Sequence, residues 1–147
     1  VTWTNILNIL YLINLINNSQ VSHLVKIYPA VEHYKLHSYY QEHNIYLNFS
    51  ETALDKSILE AMSTGIPILS CNECLGEIIE DENLKHLITF NKFDDFSLVS
   101  EKVFKLLNFT EEEFAKYASR SNQFIKNNHS IEKLTNSIVN NMVDHMS

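Results

Sequence analysis

The sequence predicts an α/β protein built on a parallel sheet, and three observations predict it. Residues 45–49 (IYLNF) and 66–70 (IPILS) are apolar runs of strand length. Between them, DKSILEAM places Ile58, Leu59, Ala61 and Met62 on one side of a helix, with Asp55 as its N-cap. Gly65 stops that helix and Pro67 keeps it from restarting. Strand, loop, helix and strand in that order are the unit of a parallel α/β sheet. Ligands of such sheets bind beyond the carboxyl ends of the strands, where a helix N-terminus offers N–H groups to an anion.

The remaining elements follow in order. Thr4 can cap a helix over residues 5–17, apolar nearly all round, as expected of a helix covered on both faces. A polar link at 18–20 leads to a strand over 23–28, ended by Pro29. A helix over 34–43 precedes the first central strand, and a polar turn at 50–53 follows that strand. After Ser70 come the loop CNECLGE, a short helix near 77–80 and a short strand at 87–90. From there the chain reads as helical. Asp94 or Asp95 opens a segment reaching about residue 107. Thr110, with Glu113 three residues on, is a capping box for a helix to about residue 127. Ser130 caps a last helix, with Ile131, Leu134, Ile138, Val139 and Met142 on one side.

Composition narrows the class. A length of 147 residues means one domain or part of a larger one. An apolar content of 45% suffices for a core and argues against a disordered chain. A net charge of −7 with no basic stripe argues against nucleic acid as a partner. Only two cysteines point to a reduced compartment. The chain starts at Val1 rather than Met and reads as a fragment or a processed chain. No Lys or Arg precedes Lys26, so the apolar start lacks the leader of a signal peptide. A membrane span needs about 20 apolar residues, and Asn8, Asn14 and Asn17 interrupt this stretch. The sequons at Asn17, Asn48, Asn108 and Asn128 would matter only in a secreted protein.

The segment LNFSETALDKSILEAMSTGIPILSCNECLGEII resembles the donor-binding signature of group 1 glycosyltransferases, retaining enzymes of the two-domain GT-B fold. Leu59-Glu60-Ala61-Met62, Gly65, Pro67, Ser70 and Gly76-Glu77-Ile78-Ile79 fall in step with it. Upstream, Val31, His33, Leu36, Tyr39 and Tyr40 keep the family's spacing to Ser50, with Pro29 where a glycine is usual. Downstream, NNHSIEKLTNSIVNNM is similar to the family's C-terminal helix, and the likeness covers about residues 21–142. It implies an incomplete C-terminal half of a GT-B fold: a Rossmann-like, three-layer parallel sheet ending in C-terminal helices. It also implies that the loop with the basic diphosphate clamp and the whole N-terminal acceptor domain lie outside this chain. The implied activity is transfer of a sugar from a nucleotide-diphosphate-sugar donor with retention, in glycan biosynthesis. No metal or other cofactor is expected. The expected partners are the nucleotide-sugar, the missing acceptor domain and a peripheral membrane or lipid-linked acceptor. The expected location is the cytoplasm or the inner face of the membrane.

Glu60 matches the second glutamate of the family's pair, which implies hydrogen bonds to the ribose hydroxyls. Two carboxylate oxygens suit a vicinal diol. The plain alternative is a surface glutamate paired with Lys56 at i, i+4. The first glutamate of the pair, facing the donor sugar, lies eight positions earlier; that position is Thr52 here, with Glu51 beside it. Lys56, on the first helical turn, adds an ammonium where a diphosphate would rest and would stabilise the departing nucleoside diphosphate. Glu51, Thr52 and Lys56 are therefore the expected catalytic residues. Val31, Ser50, Ala53, Leu54, Asp55 and Glu60 are the expected donor-binding residues, with Val31 lining the base pocket by resemblance alone. From the residues themselves, Asp55 reads as the helix cap and Ser50 equally as a strand end. No glycine lies between Ser50 and Lys56, which hinders close backbone approach to a phosphate.

Two rival readings stand beside this one. A Rossmann-like module without catalysis would carry the Thr52 departure and the missing loop glycines as losses and would serve assembly. The second rival is a thiol redox protein using the CxxC of Cys71 and Cys74, which needs an activated thiol at a helix start; a zinc site there would need four ligands. His33 and His37, four apart, are half a metal site that no carboxylate pattern completes. Tyr39 and Tyr40 read as core or interface residues.

Overall fold

A computed structural model describes residues 11–50, 53–129 and 133. The chain divides after His33 into two compact units. The first contains a helix (α1) over the described residues 11–17 and a 3-10 turn at Ser22–Leu24. Two expectations change here. Residues 5–10 of the first predicted helix lie outside the described residues. Within 11–17, Tyr11, Leu12 and Leu15 are each at least half exposed, so the helix is not covered on both faces. Residues 25–28 form no strand: the sheet of the described residues contains only two other segments, and Val25, Ile27 and Tyr28 stay about half exposed. An alternating apolar run becomes a strand only where a ladder and a buried face meet it.

The second unit is mixed α/β, largely helical, around a parallel pair of strands. A 3-10 turn at His33–Lys35 leads into α2 (Leu36–Gln41), β1 (Tyr46–Asn48), α3 (Lys56–Thr64), β2 (Ile68–Ser70), α4 (Glu73–Ile78), α5 (Glu82–Ile88), α6 (Phe96–Leu107) and α7 (Glu111–His129). β1 and β2 pair in parallel, Tyr46 opposite Ile68 and Asn48 opposite Ser70. The predicted strand–helix–strand unit is therefore present, with α3 as its crossover. Among the described residues a third extended position is a bridge between Ser70 and Thr89. Two strands and a bridge show a mixed, parallel α/β arrangement, without showing the three layers expected of it.

Two further elements differ from the sequence reading. Of the predicted strand at 87–90, residues 87 and 88 end α5 instead, while Thr89 makes the parallel bridge to Ser70. Asp81 caps that helix by accepting from Asn83 N and Leu84 N, and Leu84 and Ile88 are buried one turn apart. A four-residue apolar run cannot distinguish that periodicity from a strand. The loop CNECLGE and the helix predicted near 77–80 become α4, which starts earlier because Asn72 Oδ1 accepts from Leu75 N. Asp95 opens α6. The Thr110–Glu113 capping box forms as predicted: Thr110 N donates to Glu113 Oε2 at 2.9 Å and Glu113 N to Thr110 Oγ1 at 3.2 Å. The Thr110 N–H first, and then the Thr110 hydroxyl donating to Oε2 at 3.0 Å, hold the Glu113 carboxyl below its ordinary range. The predicted last helix lies outside the described residues, apart from Lys133.

α3 is the packing centre of this unit. Its buried face, Ile58, Ala61 and Met62, meets Ile68, Leu75, Ile79, Tyr117 and Phe124 in one cluster. Fully burying a side chain of this size stabilises by about 1.5–3 kcal/mol. Gly65 ends α3 with φ +79°, a left-handed conformation that favours glycine. A Cβ there would meet Ala118 Cβ of α7 at 3.3 Å.

Tyr117 of α7 supplies what a third strand would. Along β2, Pro67 O accepts from Tyr46 N, and Cys71 N donates to Asn48 O. Odd-numbered residues thus face β1, and the backbone of Ile66, Ile68 and Ser70 faces away. Phe90 N serves Ser70 O. The Tyr117 hydroxyl donates to Ile66 O at 3.0 Å and accepts from Ile68 N at 3.2 Å. Burial pushes that phenol up to about 12.

Candidate functional site

The carboxyl ends of β1 and β2 meet the starts of α3 and α4, and polar side chains tie them together. Asp55 Oδ1 accepts from Ser57 N at 3.0 Å and from Ser57 Oγ at 2.8 Å, which makes Asp55 the cap of α3. The Ser57 hydroxyl first, and further donors including the Asn48 amide, hold the Asp55 carboxyl below its ordinary range against the opposing effect of burial. Ser57 Oγ also meets the Tyr46 hydroxyl at 2.6 Å. Asn48, at the end of β1 and 7% exposed, donates from Nδ2 to Asp55 Oδ2 at 3.0 Å. Its Oδ1 accepts from Ser50 N at 3.1 Å and from Ser70 Oγ at 3.3 Å. Asn72 Nδ2 donates to Ser50 O at 3.2 Å.

Glu60 lies one turn into α3, on the flank toward α2 and not in the core. Its side chain is 25% exposed and its carboxylate lies 3.7 Å from Lys56 Nζ, whose side chain is 80% exposed. The plain i, i+4 pair thus forms, in the orientation that contributes less to a helix. Tyr40 of α2 packs edge-on to Tyr46, with ring centres 5.7 Å apart. Its phenol is pushed up to about 12, first by burial and then by Tyr46, Glu60 and Asp55. The Glu60 carboxylate therefore pairs with Lys56 and adds to the upward shift of the Tyr40 phenol.

The other residues named from sequence are placed unevenly. Ser50 and Asp55 join one network. Lys56 and Glu60 pair with each other. Ala53 is exposed, and Leu54 is half-buried against the core. Glu51 and Thr52 lie outside the described residues. Val31 lies in the first unit, half-buried in irregular chain. Cys71 is buried and Cys74 half-buried, both as thiols. Among the described residues no group of three or more His, Cys, Asp and Glu is gathered as a metal site, and no helix is long and apolar enough to cross a membrane.

The residue that sequence reasoning missed is Asn48. Its signal was a lone amide inside the apolar run IYLNF, where a buried polar side chain needs partners. A cavity of about 490 Å³ opens beside the end of β2, lined by Cys71, Asn72, Phe90 and Lys102 among others, and none of the described residues expected to be catalytic or donor-binding lines it. Lys102 Nζ donates there to His86 O at 2.6 Å and Thr89 O at 2.9 Å, which commits it to capping α5. Burial lowers its pKa. No family model matches this chain, and neither a curated protein nor a solved structure matches it.

Proposed function

We propose that this chain is the donor-binding part of a retaining glycosyltransferase, an incomplete Rossmann-like half of a GT-B enzyme acting at the cytoplasmic side. One observation carries the reading: the Glu60 carboxylate stands partly exposed one turn into a helix whose cap, Asp55, is bonded to Asn48 at the carboxyl end of a parallel strand pair. That is where an open α/β sheet receives its ligand. Glu60 would accept from the ribose hydroxyls, and the exposed Lys56 ammonium would meet the diphosphate and stabilise it as it departs. Ser50 and the loop leading to Asp55 would border the donor, with Glu51 and Thr52 beside the transferred sugar. Acceptor binding would belong to a separate domain, so this chain by itself would bind the donor without turnover.

A second reading is favoured by a specific feature of the helix start. Ser57 N is occupied by the Asp55 side chain and Ile58 N by Asp55 O. The cap is a carboxylate kept charged, which repels an anion. A diphosphate here would depend on Lys56 and not on the helix N–H groups. A module that lost catalysis and serves assembly accounts for that arrangement without a ligand.

Calorimetric titration with uridine and guanosine diphosphates separates the two readings. The donor reading expects saturable binding of at least one, weakened about tenfold or more by Glu60→Ala and by Lys56→Ala. It also expects little change in stability for Lys56→Ala, because a pair with so exposed a lysine contributes at most about 0.5 kcal/mol. No binding of either nucleotide at millimolar concentration overturns the donor reading in favour of the module.

A further inference from the structure

We propose that Asn48 is the positioning residue of this site: one buried amide pins both feet of the loop that would hold the donor. The inference rests on the donor reading and names the part of it that the fold controls. The loop leaves β1 after Asn48 and returns at Asp55. Its first foot, Ser50, gives its N–H to Asn48 Oδ1, and its last foot, Asp55, takes Asn48 Nδ2. The same amide reaches the neighbouring strand, where Ser70 Oγ donates to Oδ1, and its own strand, where Nδ2 meets the Tyr46 hydroxyl at 3.4 Å.

An asparagine amide has two N–H donors and two acceptor lone pairs, and here all four are engaged. Its orientation is determined as well. Ser50 N is a donor only and the charged Asp55 carboxylate an acceptor only, so Oδ1 must face Ser50 and Nδ2 must face Asp55. No other residue type of this size offers a donor and an acceptor in opposite directions without charge. The position of Asp55, and through it Ser57 and the first turn carrying Lys56, is thereby keyed to the end of β1. Asn48 touches no ligand in this proposal; it acts through Ser50 and Asp55.

The test uses the whole chain with Asn48→Leu, which removes the bonds without adding charge, and Asn48→Asp, which keeps the acceptor side and regains the donor bond to Asp55 only when protonated. Amide exchange followed by NMR is expected to show Ser50 N–H exchanging about tenfold faster or more in Asn48→Leu, with Cys71 N–H still protected by its backbone bond to residue 48. Affinity for the nucleoside diphosphate is expected to fall about tenfold in Asn48→Leu at a temperature where the chain remains folded. In Asn48→Asp the new carboxyl faces Asp55 and shares a site with it, which raises the pKa of the pair. Affinity relative to the parent should therefore be weak at pH 7.5 and recover toward it near about pH 5, where the protonated acid imitates the amide. A role in core filling alone predicts no selective loss of Ser50 N–H protection in Asn48→Leu. If the parent binds a nucleotide but both variants bind equally well at every pH, the positioning role is overturned while the donor site stands. If the parent binds neither nucleotide, the donor reading fails and this role fails with it. If Asn48→Leu unfolds the chain, Asn48→Asp compared across pH decides the matter, and an affinity ratio to the parent independent of pH refutes the inference.

Discussion

Replacing Tyr117 by Phe deletes one buried oxygen and leaves the ring that packs on Phe109 in place. The deletion costs more than its size because that oxygen serves two backbone groups on the outer edge of β2, Ile66 O at 3.0 Å and Ile68 N at 3.2 Å. Both residues are buried, so water does not replace it. A hydrogen bond contributes about 0.5–1.5 kcal/mol net, whereas a buried backbone group left alone costs about 1–3 kcal/mol. Two orphaned groups, partly relieved by relaxation, give an expected loss of about 2–4 kcal/mol. Against a total stability of about 5–15 kcal/mol that is a large share. It corresponds to a fall of about 8–16 °C in Tm for a chain of this length, taking about 4 °C per kcal/mol. Urea unfolding followed by far-ultraviolet circular dichroism measures it, with an unchanged denaturant slope showing that the native fold is kept. A loss below about 0.5 kcal/mol, the ordinary range for a surface change, would refute the view that this phenol stands in for a third strand.

The two glycines are expected to answer differently to alanine. Gly65→Ala should destabilise by about 1–3 kcal/mol, because Gly65 is left-handed and a Cβ there presses on Ala118. Gly76→Ala, inside α4 where a Cβ would meet only the flexible Lys85 side chain at 4.0 Å, should be neutral or stabilise by about 0.5–1 kcal/mol. Equal effects in the same urea assay would contradict the left-handed assignment. Acidification should weaken the fold in two windows. His129, lowered first by burial and then by Lys133, is favoured neutral when folded, so its contribution is lost as pH falls below its unfolded value of about 6.5. Asp55, also lowered, contributes above its unfolded value of about 4 and is lost as pH falls through the folded one. Asn at position 55 keeps a cap without the charge, so Asp55→Asn should flatten the lower window and leave the upper one unchanged. An identical acid profile for parent and variant would remove Asp55 from that account.

Much of the central unit was legible because its signals are local. Asp55 as cap, Gly65 as stop and the Thr110–Glu113 box each act within a few residues, and all three form as the residues imply. The apolar spacing of 58, 61 and 62 named the buried face of α3. The misreadings came where one short apolar run fits two periods. Residues 87–90 are a four-residue apolar run, and Leu84 outside that window places 87 and 88 in α5 while Thr89 alone meets the sheet. Residues 23–28 carry strand-forming side chains, but propensity without a ladder does not make a strand.

By itself, then, the sequence determined where helices start and stop and that two apolar segments flank a crossover helix, since capping and periodicity are properties of neighbours in the chain. Only the tertiary structure decided what satisfies the outer edge of β2 and what anchors the loop after β1. Tyr117 and Asn48 reach their partners across 49 and 7 residues respectively, and a hydrogen bond of that kind exists only once the chain has folded back upon itself. The same closure pairs Ser70 with Thr89 and turns Glu60 toward Tyr40, so the surroundings of the candidate site are a product of packing and not of any motif.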